Sequence, residues 1–211
     1  MERRLAAAVA MVGGLLVLGT ACGGKKTSDT APEGTSPLPI VGIAGRSVSV
    51  FPMTLIAAEE ALGWDELLKP RREALDRADS MIASFLTERA PEVTWILPDQ
   101  LRKAARKAPG MLTDPDQMGT ALLRAPFSQL PDPLRSQMRT LVGVAGGRYA
   151  LVPASLVFLR KDASTPRAEV TLVMVDVRTG RVGWRTVARG EDEEPWAAMR
   201  KALKGLLPGL P

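Results

Sequence analysis

Two arginines, Arg3 and Arg4, stand before a largely apolar run at residues 5–18, and Gly19, Thr20 and Ala21 then lead into Cys22, the only cysteine of the chain. A positively charged start, an apolar stretch of this length and small residues at a cut site are the parts of an export leader. A permanent membrane span needs about 20 apolar residues, and this run is shorter and ends in Gly-Thr-Ala-Cys-Gly-Gly. Whatever folds must therefore lie beyond residue 21. It must fold without an intramolecular disulfide and without a cysteine-based zinc site, because one thiol can supply neither.

The leader followed by Cys22 resembles the lipobox of bacterial lipoproteins. The resemblance implies that Cys22 is acylated and becomes the new N-terminus, so that the membrane is held through a lipid on Cys22. It also implies outer-membrane sorting, because Gly23 rather than an aspartate follows the cysteine. The expected location is the periplasmic face of the outer membrane.

Residues 23–38, GGKKTSDTAPEGTSPL, offer almost nothing to bury and read as a disordered tether. A flexible chain of that length has a root-mean-square reach of about 20–25 Å. The expected organisation is a signal peptide at 1–21, a lipidated N-terminus and tether at 22–38, and one globular domain at 39–211. The whole chain has a formal net charge of +5, which removal of Glu2, Arg3 and Arg4 lowers by one. That mild excess favours anionic surfaces, but no block of like charge suggests a nucleic-acid partner.

Within the domain, residues 40–43 and 46–54 read as extended, the second ending or bending at Pro52. Residues 71–89 show helical spacing, with Leu75, Ala78, Ile82, Phe85 and Leu86 on the inner face and Arg72, Asp76, Asp79 and Glu88 away from it. Residues 93–97 (VTWIL) read as a strand buried on both faces, followed by a helix to Arg106 with Asp99 as its N-cap. Residues 112–131, punctuated by Pro115, Pro126 and Pro131, predict short helical pieces. Leu134, Met138, Leu141 and Val142 mark a further helix closed by Gly146 and Gly147. Residues 148–159 and 168–177 then read as strands. Arg178-Thr179-Gly180 supplies a turn, and residues 181–189 return with Val182, Trp184 and Ala188 inward and Arg181, Arg185 and Arg189 outward. A last helix begins near Pro195, with Trp196, Met199, Leu203 and Leu206 facing in. The fold class is α/β (α+β): a single domain with a mixed sheet and a C-terminal antiparallel hairpin, covered by amphipathic helices.

The strand ending in Pro (SVSVFP), the strand followed by Pro and an acid (WILPDQL), the Gly-Arg-Tyr strand (GRYALVPASL) and the hairpin VDVRTGRVGW resemble a group of periplasmic lipoproteins. It comprises the relatives of the curli-secretion protein CsgG, the penicillin-binding-protein activators and the N-terminal domain of TolB. The likeness runs over residues 46–205 and implies the soluble fold rather than a secretion channel.

With no histidine in the chain, Ser-His-Asp and Cys-His catalysis and histidine metal ligation are excluded. No catalytic residue, metal ligand or cofactor is expected. Asp114/Asp116 and Asp192/Glu193 read as solvated or capping acids, and Asp176 as a strand-end acid paired with an arginine. Trp64, Trp95, Trp184 and Trp196 read as core or rim anchors. Arg181, Arg185 and Arg189 are the one pattern able to contact a partner or an anion, being spaced about 13 Å apart on one face of a strand. The function expected is a non-catalytic binding or assembly module for an envelope protein or polymer. The alternatives are a carboxylate-dependent enzyme on cell-wall or lipid substrates, and a carrier of lipids or other small ligands, which would need a sizeable apolar cavity.

Overall fold

A computed structural model describes residues 35–160 and 165–207. The described residues all belong to a compact unit running from Pro32 to Pro211. The leader and Cys22 lie outside them.

The chain order is α1 (Ile40–Ile43), β1 (Ser47–Val50), β2 (Ile56–Ala58), α2 (Arg71–Arg89), β3 (Thr94–Ile96), α3 (Pro98–Lys107), α4 (Leu134–Ala145), β4 (Tyr149–Leu159), β5 (Arg167–Asp176), β6 (Arg181–Glu191) and α5 (Pro195–Lys204), with short 3-10 turns in the long connections. The strands make one mixed sheet in the order β3-β1-β4-β5-β6, with β2 also on β4. β1 runs parallel to β3 and β4, whereas β4, β5 and β6 form an antiparallel meander. Among the described residues no helix is long and apolar enough to cross a membrane.

Two apolar clusters sit on the two faces of the sheet. Ala168, Val170, Leu172 and Met174 of β5 pack on one side with Ala78, Ile82 and Leu86 of α2 and Trp196, Met199 and Leu203 of α5. Val173 and Val175 pack on the other with Leu101 of α3 and Met138, Leu141 and Val142 of α4. Central strands covered on both faces read as near-continuous apolar runs, which is why β4 and β5 were so legible. Trp64 and Trp196 both meet Phe158 edge-on, at 5.5 and 6.3 Å between ring centroids. Trp95 is buried and donates its indole N–H to the Ala90 carbonyl at 2.9 Å.

β1 and β2 are two halves of one interrupted strand along β4. Pro52 has no N–H to give a ladder, and the partner β4 carries an irregularity of its own between Pro153 and Ser155. Gly190, late in β6, lies directly beneath α5, with the backbone of Ala198, Lys201 and Ala202 over it. The start of β6 is covered by residues 128–130, where the Val182 N–H donates to the Ser128 carbonyl and the Leu130 N–H to the Gly180 carbonyl.

Several elements depart from expectation. Residues 40–43 form a short helix instead of a strand; Ile40 and Ile43, three apart, both turn to the core. β3 is not buried on both faces: as the outermost strand it has only β1 beside it, and Thr94 is exposed. Asp99 does not cap α3, whose N-cap is Leu97; the Gln100 side chain accepts the Leu97 N–H instead. Residues 36 and 38, read as tether, bond to the domain: Ser36 N–H to Thr186 Oγ1 and Leu38 N–H to the Leu206 carbonyl. In β6, an extra residue at Gly183 opposes Val182 to Val175 and Trp184 to Met174. That bulge breaks the alternation, so Val182 packs into one cluster while Trp184, only partly buried, meets the other.

Candidate functional site

The polar side chains converge on Arg102, in the middle of α3, whose side chain is only 11% exposed. Its Nη2 donates to Asp79 Oδ2 and Asp116 Oδ1, its Nε to Asp116 Oδ2, each at 2.8 Å, and its Nη1 to Asp99 Oδ1 at 3.0 Å. Arg72 joins from α2, at 3.1 Å from Asp76 and 3.3 Å from Asp116. The sequence pattern puts Asp79 on the solvent face of α2, whereas the folded domain buries it. The spacing that places it there was present in the sequence, since Asp79 is four residues after Leu75 and three before Ile82.

The interrupted strand explains why an acid is buried at that position. Asp79 Oδ1 accepts the Met53 N–H at 2.7 Å, supplying at the break the acceptor that a neighbouring strand would have given. Asp79 thus holds the β1–β2 interruption while Arg102 ties it to α3, so the cluster links helices packed on opposite faces of the sheet. Asp116, read from sequence as solvated or capping, is partly buried in the same clasp, because Arg102 grips both its oxygens; Asp114 does cap, accepting the Asp116 N–H at 3.1 Å.

Burial pushes the Asp79 carboxyl up to about 6, against the downward pull of the Met53 N–H and Arg102. Burial also opposes the charge on Asp116, but the hydrogen bonds and charge of Arg102, with Arg72 beside it, hold that carboxyl below its ordinary value. The Asp116 hydrogen bond, followed by those of the other acids, raises Arg102 further. Between about pH 4 and pH 6 the folded protein keeps a proton on Asp79 that the unfolded chain has released, so stability falls as pH rises through that window. Asp116 acts in the opposite sense below it, where stability is lost as pH falls through its folded value. Asp79→Asn should therefore flatten the melting temperature between about pH 4 and pH 6. Wild-type and variant curves that stay parallel there would show that another group titrates.

The three arginines of β6 do not form a row. Arg185 donates to the Leu123 and Ala125 carbonyls at 2.6 and 2.8 Å and also to the Arg124 carbonyl, so it closes the 3-10 turn at Thr120–Arg124 instead of facing solvent. Arg189 Nε donates to Glu169 Oε1 at 3.0 Å. Arg181, on the far side of the Gly183 bulge, stays exposed. Asp176 pairs with Arg148 at 2.6 Å and accepts the Arg178 N–H of the turn. Gly180 in that turn has φ 77°, the left-handed conformation glycine tolerates best.

A second feature escaped sequence reading. α2 and α5 leave between them a groove of about 370 Å³ with Met81, Phe85 and Leu203 among its apolar walls and Arg77, Arg200 and Lys204 among its charges. Arg77 lies 4.5 Å over the Trp196 ring. Among the described residues no group of histidine, cysteine or acidic side chains is arranged to hold a metal.

Fold and clasp define a single α+β domain whose mixed sheet is sandwiched by helices and laced at one edge by an arginine-centred acid cluster. Several solved structures are similar to it. The LpoB C-terminal domain from Salmonella enterica is 17% identical over 71% of this chain and 84% of its own, with a TM-score of 0.39. The PelC dodecamer from Paraburkholderia phytofirmans is 17% identical over 84% of this chain and 95% of its own, TM-score 0.37. Lipoprotein GNA1162 from Neisseria meningitidis is 15% identical over 70% and 81%, TM-score 0.37. These likenesses do not support the CsgG and TolB part of the resemblance. No protein-family model matches the chain, and no curated protein is similar to it in sequence.

Proposed function

We propose that this chain is an envelope lipoprotein, anchored through an acyl group on Cys22, whose domain serves as a non-catalytic binding or assembly module for another envelope component. The observation that carries the non-catalytic part is the closure of the Arg102 cluster. Asp79 and Asp116 differ in proton affinity as an acid/base pair would. Yet both oxygens of Asp79 are engaged, by Met53 and Arg102, and both of Asp116 by Arg102. Asp79 borders a cleft of about 350 Å³ together with Asp76, Asp99 and Arg102, but none of the four oxygens of Asp79 and Asp116 is left without a partner in the protein. Of the three arginines considered for partner or anion contact, Arg181 is the most exposed, and the role is proposed for it first.

The anchor is tested first. Cys22→Ser should move the protein from the membrane to the soluble envelope fraction, because the acyl chains supply the attachment. An unmodified mature N-terminus in the wild type, read by mass spectrometry, would sink it. Cross-linking on native membranes followed by pull-down should then enrich one envelope component, and turnover of cell-wall fragments by the purified protein would overturn the non-catalytic reading.

A further inference from the structure

We propose that the groove between α2 and α5 is a site for an anionic phospholipid of the bilayer to which the chain is attached. The inference rests on the lipid-anchored reading for the geometry that brings bilayer and groove together, although the site itself is built by the domain.

The groove has the chemistry of an amphiphile site. Its floor includes Met81, Phe85 and Leu203, while Arg77, Arg200 and Lys204 set three cations against the single acid Glu88, and Ser80 and Ser84 add hydroxyls. Arg77 stacks on Trp196, which leaves its charge at the groove wall. Arg200 is held only loosely by Glu194, at 3.8 Å. A volume of about 370 Å³ accommodates a headgroup with the start of an acyl chain but not a folded partner.

The position of the groove supplies the second argument. Lys204, at its wall, is followed by Gly205, and a Cβ on Gly205 would lie 3.6 Å from the Thr35 side chain. The chain thus leaves the domain next to the groove. Between Thr35 and Cys22 run only residues 23–34, which fully extended cover at most about 45 Å. An acyl chain on Cys22 would therefore keep the bilayer within about 45 Å of the end of α5. Next to the same exit lies a second apolar hollow, walled by Leu38, Ile40, Val41 and Leu207, where Val41 is 96% exposed. Cations close to an anionic membrane surface each add to binding, and confinement by the anchor raises the local concentration of lipid further.

The test uses the mature chain from residue 22 carrying Cys22→Ser, so that no acyl group contributes, in co-sedimentation with vesicles. Vesicles of phosphatidylcholine with three parts in ten phosphatidylglycerol should bind it about tenfold more tightly than phosphatidylcholine alone. Arg200→Glu with Lys204→Glu should abolish that preference. Lys103→Glu with Arg106→Glu, an equal change of charge on exposed α3 residues across the sheet, should leave most of it in place. Equal binding to both vesicle types, or equal losses in the two double variants, would overturn the site and return the groove to a protein partner. The outcome for Cys22 is read independently by mass spectrometry, so failure of the anchor and failure of the site are told apart.

Discussion

Gly190→Ala should destabilise the domain by about 3 kcal/mol or more, the upper end of what overpacking costs, read as a large drop in the midpoint of the thermal transition. A Cβ at residue 190 would fall inside the contact radius of the Ala202 nitrogen and the Ala198 carbonyl oxygen, and 2.7 Å from the Lys201 carbonyl carbon. All three are helix backbone. A long side chain could turn aside, but α5 as a whole would have to lift, and its inner face carries Trp196, Met199 and Leu203. Gly143→Ala is the control: it lies in α4, a Cβ there meets nothing within 4 Å, and the change should stabilise by about 0.5–1 kcal/mol through helix propensity. Equal melting temperatures for Gly190→Ala and the wild type would mean that α5 does not pack on β6 as described.

Arg102→Met is the second large effect, about 3–5 kcal/mol at neutral pH, the usual cost of removing one partner of a buried ion pair. The loss is not of one contact, since Asp79 and Asp116 would be left as neighbouring carboxylates with little water to replace the guanidinium. Protonation offers the remedy, so the deficit should shrink on acidification towards about pH 4.5, as denaturant unfolding at the two pH values would show. Asp99 bonds the same arginine with its side chain 93% exposed, and Asp99→Ala should change stability by less than about 0.5 kcal/mol. A deficit for Arg102→Met that is constant with pH would point to lost packing of the arginine stem instead.

The sequence made α2, α4, β5 and α5 legible because each shows an unbroken period: apolar residues three and four apart in the helices, a continuous apolar run in a central strand. The terminal hairpin was legible through Thr179 and Gly180. What was missed arises where a period is broken or where the partner is remote. The Gly183 bulge shifts β6 by one residue, so an alternation counted through it sets Val182 and Trp184 on one face when they lie on two. Strand alternation alone turns Arg185 to solvent, because its acceptors, at residues 123–125, are about sixty positions away in sequence. Asp79 was misassigned by its charge, although its spacing from Leu75 and Ile82 pointed inward. Its acceptor role depends on a strand break at Pro52, and the broken strand's need for an acceptor at Met53 is a tertiary fact. The α2–α5 groove was not visible at all, because it depends on how two helices distant in sequence come to lie side by side.

The margins of the sheet carry a consequence if the chain is held on a membrane as proposed above. Proteins tethered to one leaflet are confined to a plane, where neighbours collide far more often than in solution and any open strand is an invitation to pair with the next copy. Here β3 is three residues long, β2 likewise, and β6 begins under the cover of residues 128–130. On the anchored reading proposed above, crowded copies would meet short strands at β2 and β3 and a covered start at β6, so those margins give another sheet little to pair with.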